Sequence, residues 1–481
     1  MGQDYEGFGA KPTMLYPEVV KGFVQYGDIA YPFSFSRDSF ILELMPPSAE
    51  VMKQNNIQPL MESLERRDLR PKWVERILLH AEAADGRQVI FCVPERPQNY
   101  LGFISFHVIW YLHYDNKIAK DQYDGFSVYG GEINRFFDPG RAVNRELSTG
   151  EDGKREITAR SVDVGNAPMG SYRICKGVDA KMCVSAFASY PGDNPELQLE
   201  ASSVLYTDFS SGVTVDILIN AVYNLKRFLQ YITYRSCVEL SQVSVYKLEG
   251  DKRCIFGRLY FAKCEISEIH KMEKLGIIQY TELGTKSWHL FSQIKYARFS
   301  VDHLLDYGSR IDGFTVGGAT MVIANFEREF ELIYGKNRRR SKLYIDTLEE
   351  VITAVDEMIS NNMGKKKKYL KQIKTYLNNR DDSLADRISF AFVDCEQSIR
   401  ELLWVQGEMK DWADQVGSDI QSFRNAAAHC KMGYVLPAQI VIELRFLEML
   451  TYAIRLKWLK LEPEKIAKAL NDLFCCNYYY R

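Results

Sequence analysis

The sequence predicts an α+β multidomain chain: a β-rich N-terminal region followed by a C-terminal all-α helical bundle. Three observations predict it. Segments rich in β-branched and aromatic residues, bounded by Gly, Pro, Asn or Asp, fill the first half. Apolar residues at helical spacing dominate after about residue 270. The length of 481 residues exceeds one ordinary domain.

The strand signals come in chain order at Ser39–Leu44, Arg87–Val93, Leu101–Tyr114, Phe126–Asn134 and Leu197–Asp208. Several alternate polar with apolar residues, as half-buried antiparallel strands do. Residues 140–170 are polar, charged and Gly-containing, which predicts a long exposed loop. One helix is predicted through Val215–Tyr234, because Leu218, Val222, Leu225, Leu229 and Ile232 recur at spacings of four and three. Strand signals resume at Val238–Lys247 and Cys254–Cys264.

Beyond them, one stripe runs Leu348, Val351 or Ile352, Val355 and Met358 or Ile359, and a second Ile388, Phe392, Cys395, Ile399, Leu402. A third runs from Ile440 through Leu444, Leu447, Thr451 and Ile454 to Trp458, and a shorter helix falls around Ile420–Cys430. Four such stripes joined by polar segments predict a bundle. The expected division is a β-rich region over 1–265, a helical connecting region over 266–339 and the bundle over 340–481.

Composition excludes several classes. With 46% hydrophobic, 26% charged and 13% aromatic residues, the chain is neither disordered nor fibrous. A net charge of −2 leaves any nucleic-acid partner to local patches. The N-terminal MGQDYEGFGAKP lacks the pattern of a secretion signal, and no apolar run reaches bilayer length. The ten Cys show no CxxC spacing. A cytoplasmic chain with reduced thiols, no membrane contact, no metal and no cofactor is the expectation. His107 and His113, six apart, could be drawn as a metal pair on one strand face, as could Cys175 with Cys183 or Cys254 with Cys264. Buried side chains are the plainer reading of all three.

The segment from Ser418 to Cys430 carries the chemistry. Ser418 with Gln421 has capping-box spacing, which predicts a helix start there. At about 100° per residue, Ile420, Phe423, Ala427 and Cys430 form the buried stripe. Asn425 and His429 share a face one turn apart, off that stripe. His exchanges protons near neutral pH, and Arg424 carries a permanent planar charge suited to phosphate oxygens. A base for the RNA 2′-hydroxyl and a cation facing the phosphate suffice for internal transesterification. Arg298 and His303 share the spacing without comparable surroundings, and read as structural.

Arg424-Asn425-Ala426-Ala427-Ala428-His429, on a late helix of a C-terminal bundle, resembles the HEPN motif: Arg, a polar residue, a few small or apolar residues, then His. The order of a β-rich region, a helical middle and a terminal bundle further resembles the ApeA-like HEPN proteins of bacterial anti-phage defence. The resemblance implies a metal-independent endoribonuclease with His429 as general base or acid. Arg424 would stabilise the charged transition state, and Asn425 would position His429 or the ribose. Two motifs would meet across a homodimer, RNA (by resemblance tRNA) would be cut, and a phage protein could be the trigger.

Arg338, Arg339, Arg340, Lys365, Lys366, Lys367, Lys368 and Lys431 are the candidate phosphate contacts, or else solvated charge. Asp394 and Glu396 are candidate supporting residues, or else surface charge. The rival expectations are a non-catalytic RNA- or nucleotide-binding dimerisation scaffold and a toxin silenced by a separate antitoxin.

Overall fold

A computed structural model describes residues 18–55, 76–100, 103–115, 122–149, 155–189, 199–236, 238, 240, 242–250, 252–262, 276–295, 315–335, 342–378, 383–403, 409–428 and 436–476. The architecture is α+β in two parts, a large antiparallel sheet over residues 19–261 and a mostly helical region over 280–474. The chain clusters into two compact units. The first lies within residues 1–296. The second takes residues 234–236 and 268–278 together with the chain from 297 onward.

The first unit opens with β1 (Val19–Tyr26), β2 (Ile29–Ser36), β3 (Ile41–Leu44), β4 (Arg76–Ala83), β5 (Gln88–Pro94), β6 (Gln98–Tyr100), β7 (Phe103–His107), β8 (Trp110–Tyr114) and β9 (Tyr123–Tyr129). A short helix α1 (Gly131–Phe136) and the strands β10 (Val143–Thr149), β11 (Arg155–Ser161), β12 (Ala167–Cys175), β13 (Val178–Ser189) and β14 (Glu200–Val213) follow. The unit closes with α2 (Val215–Thr233), β15 (Gln242–Glu249), β16 (Lys252–Phe261), α3 (Tyr280–Leu283) and α4 (Ser287–Lys295). Among the described residues, fourteen strands form one sheet in the order β12-β13-β14-β9-β15-β16-β8-β5-β4-β1-β2-β3-β7-β6, while β10 and β11 pair separately.

Aromatic alternation builds its core. Phe33 and Phe35 on β2, Phe91 on β5, Phe106 on β7 and Tyr111 on β8 turn inward onto one apolar cluster. The stripe expected of α2 is buried as drawn, from Leu218 to Ile232. Phe228 of α2 stacks on Phe291 of α4 with centroids 4.4 Å apart.

Three expectations change. The loop expected over 140–170 holds the β10–β11 hairpin, with Val143 opposite Ser161. Leu147 is 65% exposed, and none of the hairpin's described side chains is buried, which leaves no apolar alternation to read. The strand expected over Leu101–Tyr114 is two strands with different neighbours, β7 beside β3 and β6, β8 beside β5 and β16. His107 on β7 is therefore exposed while His113 on β8 is buried, so the pair shares no strand face. Burial pushes His113 down to about 4. The strand expected over Phe126–Asn134 ends at Tyr129, and α1 takes the rest.

The helical unit contains α5 (Val316–Tyr334), α6 (Lys342–Ser360), α7 (Gly364–Asn378), α8 (Leu384–Ile399), α9 (Met409–Ala428), α10 (Ala438–Trp458) and α11 (Pro463–Phe474). Helix α10 is central: α5, α8, α9 and α11 all pack on it. Phe446 of α10 meets Phe392 of α8 at 5.9 Å and Trp412 of α9 at 4.8 Å. The stripe predicted for α10 is buried from Ile440 to Ile454, whereas Trp458 is 39% exposed; Glu443, Glu448 and Arg455, which a one-faced reading leaves in solvent, are buried. Gly317 and Gly318 lie in the first turn of α5, whose Thr315 cap accepts the Gly318 N–H at 3.0 Å. Among the described residues, no helix is long and apolar enough to cross a membrane.

Candidate active site

Helix α9 carries the described part of the motif. It starts at Met409, so Ser418 lies in mid-helix and does not cap it. The capping-box spacing misled because Gln421 serves another helix. Its Oε1 accepts the Ala385 N–H of α8 at 3.2 Å, which supplies one of the partners that a helix start lacks. Gly417 lies at the same crossing. A Cβ built there would come within 3.0 Å of the Ala385 backbone, so α8 and α9 approach more closely than larger side chains permit.

The apolar face of α9 is as the spacing predicts. Ala413, Val416, Ile420 and Phe423 are buried, and Ala427 is half-buried. Arg424 and Asn425 are exposed. The Arg424 side chain is 46% exposed, and its Nη2 pairs with Glu327 Oε2 of α5 at 3.0 Å. Glu327 also faces Arg387 of α8, 3.8 Å from Oε1. Glu327 thus joins guanidinium groups from α8 and α9 at a place where three helices meet.

Sequence reasoning missed Glu327 and Arg387. Each is an ordinary charge on an amphipathic helix, and only the packing of α5, α8 and α9 joins them. Their signal in the sequence is weak: Arg387 comes one residue after Asp386, which closes the Ser383 capping box of α8.

Asp394 and Glu396 lie elsewhere. Asp394 accepts from the Tyr334 hydroxyl at 2.7 Å and pairs with Lys457 at 2.7 Å. Glu396 faces Arg400 one turn along α8 at 3.5 Å. Because α8 and α9 run antiparallel from the Ala385–Gln421 contact, Asp394 and Arg424 stand about 18 Å apart along the helix axes. Burial, followed by the neighbouring Cys395 and Asp394, pushes the Tyr334 hydroxyl up. The Cys395 thiol is pushed up to about 12 by burial and then by the Asp394 charge. Neither group is set up as a nucleophile.

Of the candidate phosphate contacts, Lys365, Lys366 and Lys368 are exposed on the first turns of α7, and Lys367 is half-buried. His429, Lys431, Arg338, Arg339 and Arg340 lie outside the described residues, as do Arg298 and His303. Among the described residues, no three His, Cys, Asp or Glu side chains gather as metal ligands. No protein-family model matches the chain, and no curated protein matches it.

Proposed function

We propose that this chain is a HEPN-type endoribonuclease acting as an anti-phage, abortive-infection effector. The observation that supports the reading is the placement of Arg424 and Asn425. Both face solvent from α9, off its buried stripe, and Arg424 meets Arg387 of α8 across the shared Glu327.

In the proposed reaction His429 takes the proton from a ribose 2′-hydroxyl. The 2′-oxygen attacks the adjacent phosphorus, and the bond from phosphorus to the 5′-oxygen breaks. The proton returns to that leaving oxygen. The products are a 2′,3′-cyclic phosphate and a 5′-hydroxyl. Arg424 offsets the charge that builds on the phosphate, and Asn425 orients the ring or the ribose. The nucleophile belongs to the substrate, so the step asks the protein for positioning and charge. The β-rich unit would sense infection, with a phage protein as trigger, and the helical unit would work as a homodimer on RNA, with tRNA first among the targets.

One observation favours a second reading. The Arg424 guanidinium already has a carboxylate partner in Glu327, as it would in a non-catalytic RNA-binding scaffold. The deciding experiment follows RNA in cells expressing wild type, Arg424→Ala or His429→Ala, with and without phage challenge. Discrete fragments from wild type alone, with ends that label only as 5′-hydroxyls do, are the expected result. RNA that stays intact under every challenge, or variants that cut as well as wild type, overturns the nuclease reading. Loss of RNA binding in Arg424→Ala with no cleavage by any form supports the scaffold.

A further inference from the structure

Two glutamates stand two residues apart on α5 and hold arginines in different ways. Glu329 is buried with Arg455 of α10, whose Nε and Nη2 both reach its Oε2. That pair is locked, because separating it strands a charge away from water. Glu327 lies nearer the surface, its side chain 20% exposed, and divides its oxygens between two helices. Oε2 meets Arg424 of α9 at 3.0 Å, whereas Oε1 faces Arg387 of α8 at 3.8 Å, beyond hydrogen-bond reach. With Arg424 half in water, this pairing is weak and exchanges readily.

The chemistry that seats Glu327 there is not peculiar to a carboxylate. Two guanidinium groups on separate helices face one anion through two oxygens carried on a single atom. A phosphodiester offers the same pattern, two unesterified oxygens on one phosphorus with a full negative charge, and guanidinium groups take either. The two anions exclude each other, because like charges in contact repel strongly where water is partly shut out. Exchange is easier than simple departure, since Glu327 leaving alone removes the anion that lies between two cations. A tethered carboxylate also has a high effective concentration. RNA therefore displaces it only when further contacts hold the RNA in place, and that sets a threshold for entry.

We propose that Glu327 is a placeholder for an RNA phosphate: the phosphodiester displaces it and takes Arg424 and Arg387 together, which makes Arg387 a second substrate contact. This rests on the reading of α9 as an RNA site, and it holds whether that site cuts RNA or only binds it.

The test is the affinity of the full chain for pooled tRNA, measured in the His429→Ala background so that binding is read without cleavage. Glu327→Gln keeps the shape, removes the charge and should tighten binding about tenfold. Arg387→Gln should weaken it about tenfold, as should Arg424→Ala. Adding Arg424→Ala to Glu327→Gln should abolish the gain, because the gain comes from the released Arg424. Glu331→Gln, at an exposed position one turn along α5, should change little. Melting temperatures control for folding. Binding that Glu327→Gln weakens or leaves unchanged overturns the proposal and makes Glu327 a support for Arg424. An equal gain from Glu331→Gln, an Arg387→Gln that binds as its parent does, or tRNA that no form binds overturns it as well. The nuclease reading falls separately. If Glu327→Gln tightens binding but no form with His429 intact cuts, the placeholder stands and the enzyme does not. If cutting depends on Arg424 but Glu327→Gln gains nothing, the enzyme stands and the placeholder does not.

Discussion

Arg455→Met should destabilise the helical unit by about 3–5 kcal/mol, the usual cost of stranding one partner of a buried ion pair. Arg455 and Glu329 are each about 2% exposed. Nε and Nη2 of Arg455 both donate to Glu329 Oε2, the Nε bond at 2.7 Å. The guanidinium also lies over the Trp458 ring, 5.3 Å from its centroid. Burial pushes the Glu329 carboxyl up, and the Arg455 charge holds it down. Removing Arg455 leaves only the first influence strong. The pair itself adds little over an apolar replacement of similar volume, because two charges were desolvated to make it. Glu329→Leu combined with Arg455→Met should therefore recover most of the loss. Urea unfolding of the two variants measures both effects. A single variant within about 1 kcal/mol of wild type, or a double variant no better than the single, refutes this account.

The second large effect depends on pH. Glu443 of α10 is fully buried, and its Oε1 accepts from Gln439 at 2.8 Å. Its Oε2 has no acceptor role filled among the described residues. Asp419 of α9 faces it and offers an acceptor if Glu443 holds a proton. Burial first, then the Asp419 charge, raises the carboxyl from 4.5 to about 7, against the opposing Gln439 bond. The native state therefore keeps a proton that the unfolded chain gives up between those two values. Stability falls as pH rises through that window, and the full penalty, about 3 kcal/mol at most, holds above it. Glu443→Gln removes the ionisation. Its melting temperature should exceed that of wild type at pH 8, and the gap should close near pH 4. A gap of equal size at both pH values would show that the carboxyl's titration is not the cause.

The sequence made the broad division legible because strand and helix leave different periods. The face of α9 was readable for the same reason: Ile420 and Phe423 went inward, Arg424 and Asn425 outward. What escaped reading has physical causes. Glu443, Glu448 and Arg455 sit on a helix that four others pack against, where polarity no longer marks solvent. Gln421 looked local because capping is usually local, yet it bonds across a helix crossing. Glu327 meets Arg424 across nearly a hundred residues of chain, and no single-sequence pattern encodes that meeting.

The bond from the Ala385 amide to Gln421 has a dynamic consequence. An amide in the first turn of a helix is ordinarily open to solvent and exchanges its hydrogen quickly. Here its protection depends on α9 remaining folded as far as Gln421, one turn before Arg424. Hydrogen exchange at one residue of α8 thus becomes a gauge of how often the end of α9 frays. A ligand that orders Arg424 and its neighbours should slow exchange at Ala385, which it never touches.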